Sequence, residues 1–161
     1  MFEAELAINR FLIQYGRMMV ADLSDERMAD QPLPGLNHPA WILGHLAYSA
    51  DGAVGVLGGD KMLTAEWVSR FGPGSQPTAI RSDYPSKEDL LREFEGRFEK
   101  ARELAAAAHP DRLGRRNPHP RLRGGLPTVR DLVALLLTGH LGVHLGQLSM
   151  WRRAIGLSPM F

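Results

Sequence analysis

The segment that most constrains this chain is a long apolar run near its end, between residues 128 and 155. Apolar side chains recur in it at three- and four-residue intervals, which is the period of a helix with one buried face. Two histidines, His140 and His144, stand in the middle of that face, one helical turn apart. Side chains at i and i+4 lie one above the other, so both imidazoles can reach the same ligand. The run therefore predicts a core helix that carries two converging histidines.

Three further segments show the same helical period, and no segment of useful length alternates as a half-buried strand does. We therefore predict an all-α chain with four main helices. They are expected at about residues 2–21, 38–58, 86–108 and 128–155, within one domain of residues 1–161. Proline at position 39 suits the first turn of a helix. Ser86 and Thr128 are each followed three residues later by an aspartate, as in a capping box at the start of a helix.

The apolar pattern of the first helix is carried by a set of residues that recur at helical spacing: Ala4, Ile8, Phe11, Leu12, Tyr15 and Met18 with Met19. On the fourth helix a stripe of mostly small residues lies opposite the histidine face: Leu135, Gly139, Gly142, Gly146 and Ser149. Small side chains let another backbone approach closely. The stripe therefore predicts contact with either a helix of the same bundle or a partner subunit.

Two long connections, residues 60–85 and 109–127, separate the last three helices. Connections of this length favour a bundle with crossovers over a simple up-and-down one. The second connection holds five arginines: Arg112, Arg115, Arg116, Arg121 and Arg123. They indicate a solvated crossover or, alternatively, a site for an anionic ligand. No aromatic residues interleave them as a nucleic-acid platform requires.

The composition excludes several kinds of site. The chain has no cysteine, so it can form neither disulfides nor metal sites with thiolate ligands. A formal charge of +1 creates no general field for nucleic acid or a membrane surface, and neither partner is expected. Charged residues interrupt the apolar pattern of the first twenty positions, unlike the core of a signal peptide, so a cytoplasmic location is expected.

A metal site needs three or four donors, and His45 is the best third candidate. It lies in the second helix on a face shared with Trp41 and Tyr48, and small residues, Ser49 and Gly52, follow it on that face. Two unpaired imidazoles buried side by side would each lose hydration, which favours a shared cation. We therefore predict one divalent ion held by His45, His140 and His144. Ser49 and Gly52 are expected to leave room there for a bound ligand.

Gln147 follows His144 by one turn, near the predicted ion. As a candidate catalytic residue it would orient a bound water or a ligand histidine; the alternative is a buried amide bonded to the backbone. The remaining histidines, His38, His109 and His119, are expected to face solvent, although His38 could also support His45. Between His140 and His144 there is no glutamate, so a zinc-protease general base is absent.

The segments 37–41 and 44–46, together with residues 140–157, resemble the second- and fourth-helix signatures of the DinB/YfiT-like superfamily. The resemblance extends over essentially the whole chain. It implies a four-helix bundle of up-down-down-up order, with a divalent ion, often zinc or nickel, held by three histidines that match His45, His140 and His144. It also implies a homodimer.

Members of that superfamily include thiol S-transferases that use bacillithiol and a mycothiol-dependent maleylpyruvate isomerase. The resemblance therefore implies a metal-dependent enzyme that transfers a low-molecular-weight thiol to an electrophilic small molecule, or a related isomerase or hydrolase. A non-catalytic metal-binding or stress-response module of the same fold is the alternative.

Overall fold

The protein is described by a computed structural model that covers residues 1–158 and Met160. In this part of the chain the regular structure is helical, with no strands and one isolated bridge between Arg116 and Thr128, so the predicted all-α class is confirmed. The α-helices are α1 (Glu3–Ala21), α2 (Pro39–Leu57), α3 (Ala65–Phe71), α4 (Lys87–Ala107), α5 (Pro110–Leu113), α6 (Val129–Leu137) and α7 (Gly139–Ala154).

Caps at the helix ends agree with the sequence. The His38 side chain accepts a hydrogen bond from the Trp41 N–H at the start of α2, and Gly58 caps the other end of α2 with a φ of +93°, which suits glycine. The Ser86 hydroxyl accepts from the Asp89 N–H at the start of α4. Thr128 and Asp131 form a reciprocal capping box that starts α6. These bounds could be predicted because each cap depends on residues a few positions apart.

Helix α1 forms where predicted, but it buries a different face. Its buried residues are Asn9, Ile13, Gly16, Met19 and Val20. Of the predicted apolar set, Ile8, Phe11 and Met18 are exposed. The helix carries apolar residues on two sides, and helical periodicity alone does not indicate which side packs on the core. Packing against α4, α6 and α7 selects the side that contains Asn9.

The predicted fourth helix is interrupted. A single helix over residues 128–155 is wrong, because Thr138, with φ of −129° and ψ of −76°, separates α6 from α7. Val143, which a continuous count places on the core face, is 62% exposed. Pro159, which follows this run in the sequence and could not continue a helix, lies outside the described residues.

The long helices share one cluster of buried apolar side chains within the described part of the chain. Helix α2 packs on α4, α6 and α7, while α1 packs on α7, α4 and α6. The up-down-down-up order stays a prediction. By length and composition alone the run Val129–Ala154, which contains an 18-residue window of mean hydropathy 1.3, could cross a membrane, but core helices of soluble proteins meet the same criterion.

The long connections contain short helices. The first includes α3 and a 3-10 turn at Arg81–Asp83. Tertiary hydrogen bonds tie this connection to α2: the Trp41 indole donates to the Ser75 hydroxyl at 3.1 Å, and the Asp51 carboxylate accepts from the Met62 N–H at 3.1 Å. The connection is therefore held against the helix that carries His45.

Candidate metal centre

Three histidines from two helices meet at one point. His45 comes from α2, and His140 and His144 come from α7, one turn apart. One ring nitrogen from each lies within 4.8 Å of the others, and Nε2 of His45 is 3.4 Å from Nε2 of His140. The structure therefore brings together all three predicted ligands, as a shared ion requires.

The outer nitrogens of two of these rings are already hydrogen-bonded. His45 Nδ1 lies 2.7 Å from the Phe71 carbonyl oxygen, and His144 Nδ1 lies 3.0 Å from Gln147 Oε1. A carbonyl oxygen only accepts, so each Nδ1 must carry the proton, and each Nε2 keeps its lone pair. Histidine ligands in metal sites show this arrangement, with the outer N–H bonded to a carbonyl or carboxylate.

His140 differs from the other two. Its Nδ1 is buried and has no hydrogen-bond partner among the described residues. If His140 Nε2–H donates to His45, the lone pair on the buried Nδ1 is left unsatisfied; if Nε2 presents a lone pair, the two Nε2 atoms repel each other. A cation between the rings would remove that repulsion. These three residues therefore fit a divalent ion.

Burial keeps the cluster neutral. Desolvation lowers the pKa of His140 from 6.5 to about 4, with smaller contributions from the neighbouring His144 and His45. Desolvation and His45 lower the pKa of His144 to about 4 as well, and burial also lowers the pKa of His45. Only a neutral imidazole can coordinate a metal. At pH 7 the cluster is therefore in its ligating form without any protons to expel.

Aromatic packing holds the His45 ring in place. The Trp41 ring stacks on it with centroids 4.8 Å apart and planes within 7°. The Tyr48 ring lies 6.2 Å from His45. Together with the Phe71 hydrogen bond, the Trp41 stack restricts rotation of His45, so its Nε2 is directed before any ion binds.

The predicted ligand-binding residues lie on α2 after His45. The Ser49 hydroxyl is buried and donates to the His45 carbonyl oxygen at 2.9 Å. A Cβ placed on Gly52 would meet nothing within 4 Å, so space is open beside that residue. Binding of a thiol by Ser49 and Gly52 stays a prediction.

His38 is buried, and the expectation that it faces solvent is wrong. Its Nδ1 accepts from the Trp41 N–H, so Nε2 carries the proton and donates to the Thr78 carbonyl at 2.9 Å. Burial lowers its pKa. His38 therefore tethers the connection after α3 instead of supporting His45 directly. His109 and His119 are exposed, as predicted.

Gln147 contacts one of the three clustered histidines, His144. Its Oε1 accepts from His144 Nδ1 and also from Asn37 Nδ2, each at 3.0 Å. These partners match the predicted contact with a candidate ligand histidine and differ from the backbone-bonded amide of the alternative, and a role in catalysis stays a prediction. No local signal reveals the bond between Asn37 and Gln147, because the two residues are 110 positions apart.

The arginine-rich connection does not converge on one site. The Arg112 guanidinium packs against Gly58, and Arg123 donates to the Asn117 and Pro118 carbonyls. Arg115, Arg116 and Arg121 are exposed. This arrangement matches the solvated crossover of the two predicted alternatives.

The family follows from a comparison of the chain with known protein families. The family model described as DinB superfamily matches residues 14–148, which include all three histidines. The chain belongs to the DinB superfamily. A comparison with curated proteins found no match. For this DinB-superfamily protein, family membership and the histidine cluster agree on a possible metal site.

Replacing Gln147 by leucine is expected to lower the metal affinity about 10- to 100-fold, the usual effect of losing an outer partner of a ligand histidine. Leucine cannot accept from His144 Nδ1, so the ring loses its fixed orientation. Gln147→Glu keeps an acceptor for both His144 and Asn37 and should retain the affinity. Competition titration with a chromogenic chelator measures both variants. Equal affinities for wild type and Gln147→Leu would contradict the orienting role.

Proposed function

We propose that this protein is a metal-dependent transferase that moves a low-molecular-weight thiol onto an electrophilic small molecule. His45, His140 and His144 would hold one divalent ion, zinc or nickel. The observation that carries the proposal is the cluster of three neutral imidazoles whose free nitrogens face one another. The proposal places the protein in the cytoplasm, where it needs neither nucleic acid nor membrane.

The donor set favours thiol chemistry. Three neutral imidazoles leave the positive charge of an ion uncompensated, and three protein ligands leave a coordination position for another group. When bound, the ion supplies a positive charge that favours thiolate over thiol near neutral pH. The space beside Gly52 would admit the thiol. In the transfer, the thiol proton passes to water, a carbon–sulfur bond forms, and the leaving group of the electrophile departs with its electron pair.

The test is thiol-dependent turnover. Metal-loaded wild type is incubated with bacillithiol, mycothiol, glutathione or cysteine and a chromogenic aryl halide, and its rates are compared with those of His140→Ala. The expected result is turnover with at least one thiol that His140→Ala lacks. Equal rates in both proteins with every thiol would refute the transferase proposal. They would favour the non-catalytic module, in which the ion only links α2 to α7.

Ser49→Leu is expected to block turnover while sparing the metal. The larger side chain would fill space next to His45 without touching a ligand nitrogen, whereas Ser49→Ala removes only the hydroxyl and should remain active. Turnover and metal content are measured on both variants. Full activity of Ser49→Leu would show that the thiol does not bind beside Ser49.

We further propose a symmetric homodimer formed through exposed faces of α1 and α7, which pack side by side. On α7, a Cβ on Gly142 or Gly146 would meet nothing within 4 Å, so in the described chain no other helix contacts the stripe of small residues at these two positions. Val143 and Met150 flank it, each 62% exposed, and Phe11 on α1 is 56% exposed. Apolar surface next to small residues is typical of an interface.

Light scattering at micromolar concentration is expected to give twice the mass of the chain. Phe11→Glu should yield monomers, because a carboxylate in an apolar contact loses its hydration without a partner. Met62→Glu is the matched control, since Met62 is also exposed but lies in the connection after α2. A monomeric wild type would refute the interface.

A further inference from the structure

The interruption between α6 and α7 lies two residues before the first metal-site histidine of α7. At Thr138 the backbone leaves helical geometry, and the Thr138 N–H is shared between the carbonyls of Ala134 and Leu135. The Thr138 hydroxyl also donates to the Ala134 carbonyl at 2.6 Å. Helix α7 then starts anew, with the Gly142 N–H bonded to the Thr138 carbonyl. The direction and phase of α7 are thus set at this point.

A buried side chain from another helix bonds to the end of α6. Asn9 on α1 has no exposed surface, and its Nδ2 donates to the Leu137 carbonyl oxygen at 2.7 Å. In an unbroken helix that carbonyl would accept from the Leu141 N–H. A buried carbonyl without a donor is unfavourable, so the Asn9 amide stabilises the interrupted backbone relative to the continuous one.

The orientation of the Asn9 amide is itself fixed. Arg102 on α4 donates to Asn9 Oδ1 at 2.9 Å, so the oxygen points to the guanidinium and the NH2 group points to Leu137. An arginine only donates hydrogen bonds, which excludes the flipped amide. Three elements, α1, α4 and α6, therefore meet through this one side chain.

The interruption shifts the buried face of α7. A count of 100° per residue from α6 keeps both histidines on the core face and adds Val143 to it, yet Val143 is mostly exposed, while His144 is buried against His45. We propose that Asn9 is a positioning residue for the metal centre: by holding the Leu137 carbonyl it fixes the interruption, which sets the angle at which His140 and His144 face His45. The inference rests on the metal site of the proposed function.

Cobalt binding tests it, because the visible absorption of Co²⁺ reports ligand number and geometry directly. Asn9→Leu is compared with Asn117→Leu, which also removes a buried asparagine. Asn117 bonds to the Leu126 carbonyl and the His119 N–H and lies in the connection before α6. Wild type and Asn117→Leu are expected to give the same spectrum. Asn9→Leu should bind Co²⁺ at least tenfold more weakly and with an altered spectrum, while circular dichroism shows a folded helical protein.

A wild-type spectrum and affinity in Asn9→Leu would overturn the proposal. If Asn9→Leu does not fold, Asn9→Asp provides a second comparison, since its carboxylate still accepts from Arg102 but places an acceptor instead of a donor opposite the Leu137 carbonyl. Absence of Co²⁺ binding by the wild type would refute the metal site itself, an outcome distinct from equal binding by wild type and variant. None of these outcomes depends on whether the protein turns over a thiol.

Discussion

Alanine in place of His140 is expected to lower the affinity for a divalent ion by more than about 100-fold, because changes to outer partners of ligand histidines already cost 10- to 100-fold. The wild type should bind about one zinc ion per chain at pH 7, where all three imidazoles are neutral. Elemental analysis after dialysis against a weak chelator gives the stoichiometry, and calorimetric titration gives the affinity.

His109→Ala is the matched control for that measurement, since His109 is an exposed histidine in the last connection and lies outside the cluster. It should keep the full metal content. Equal zinc content in wild type and His140→Ala would refute ligation by this residue. Loss of zinc from both variants would point to a general loss of structure, which circular dichroism would detect.

The metal-free protein is expected to lose stability steeply between pH 6.5 and pH 4. The pKa of both His140 and His144 is lowered from 6.5 to about 4, so in this window the unfolded chain takes up protons that the folded chain does not. The free energy of unfolding then falls by about 1.4 kcal/mol per pH unit for each extra proton bound by the unfolded chain. Partial solvent access to His140 makes this slope an upper limit.

Urea unfolding at several pH values measures that slope. The double variant His140→Ala with His144→Ala should show a smaller one, although buried His38 and His45 still contribute in the same direction. Below pH 4, protonation of Asp22 and Asp25 adds a separate loss, because arginine partners lower the pKa of both carboxyls. A flat wild-type stability between pH 6.5 and 4 would contradict the neutral buried cluster.

The same pKa values change the expected pH of metal release. Sequence alone predicts release toward pH 5, as for histidines of ordinary pKa. Protons compete with the ion for His140 and His144 only near pH 4. The loaded protein should therefore still hold its ion below pH 5.

What the sequence by itself determined is local. The bounds of α2 and α4 follow from caps and periodicity, and the pairing of His140 with His144 follows from i, i+4 spacing. The third histidine of the cluster, His45, could be predicted from its central place on an apolar face and from the family resemblance. These features depend on residues within a few turns of one another, where backbone geometry leaves few alternatives.

Only the tertiary structure decided which helix faces are buried and how the site is supported. At the interruption before Thr138, the Leu137 carbonyl is bonded by Asn9, which is 128 positions away in the sequence. The bond from Asn37 to Gln147 and the exposure of Phe11 have no local signature either. A helix with apolar residues on two sides, or an amide with several possible partners, satisfies local preferences in more than one way. Packing selects among these arrangements because only some of them bury apolar surface and also pair every buried polar group.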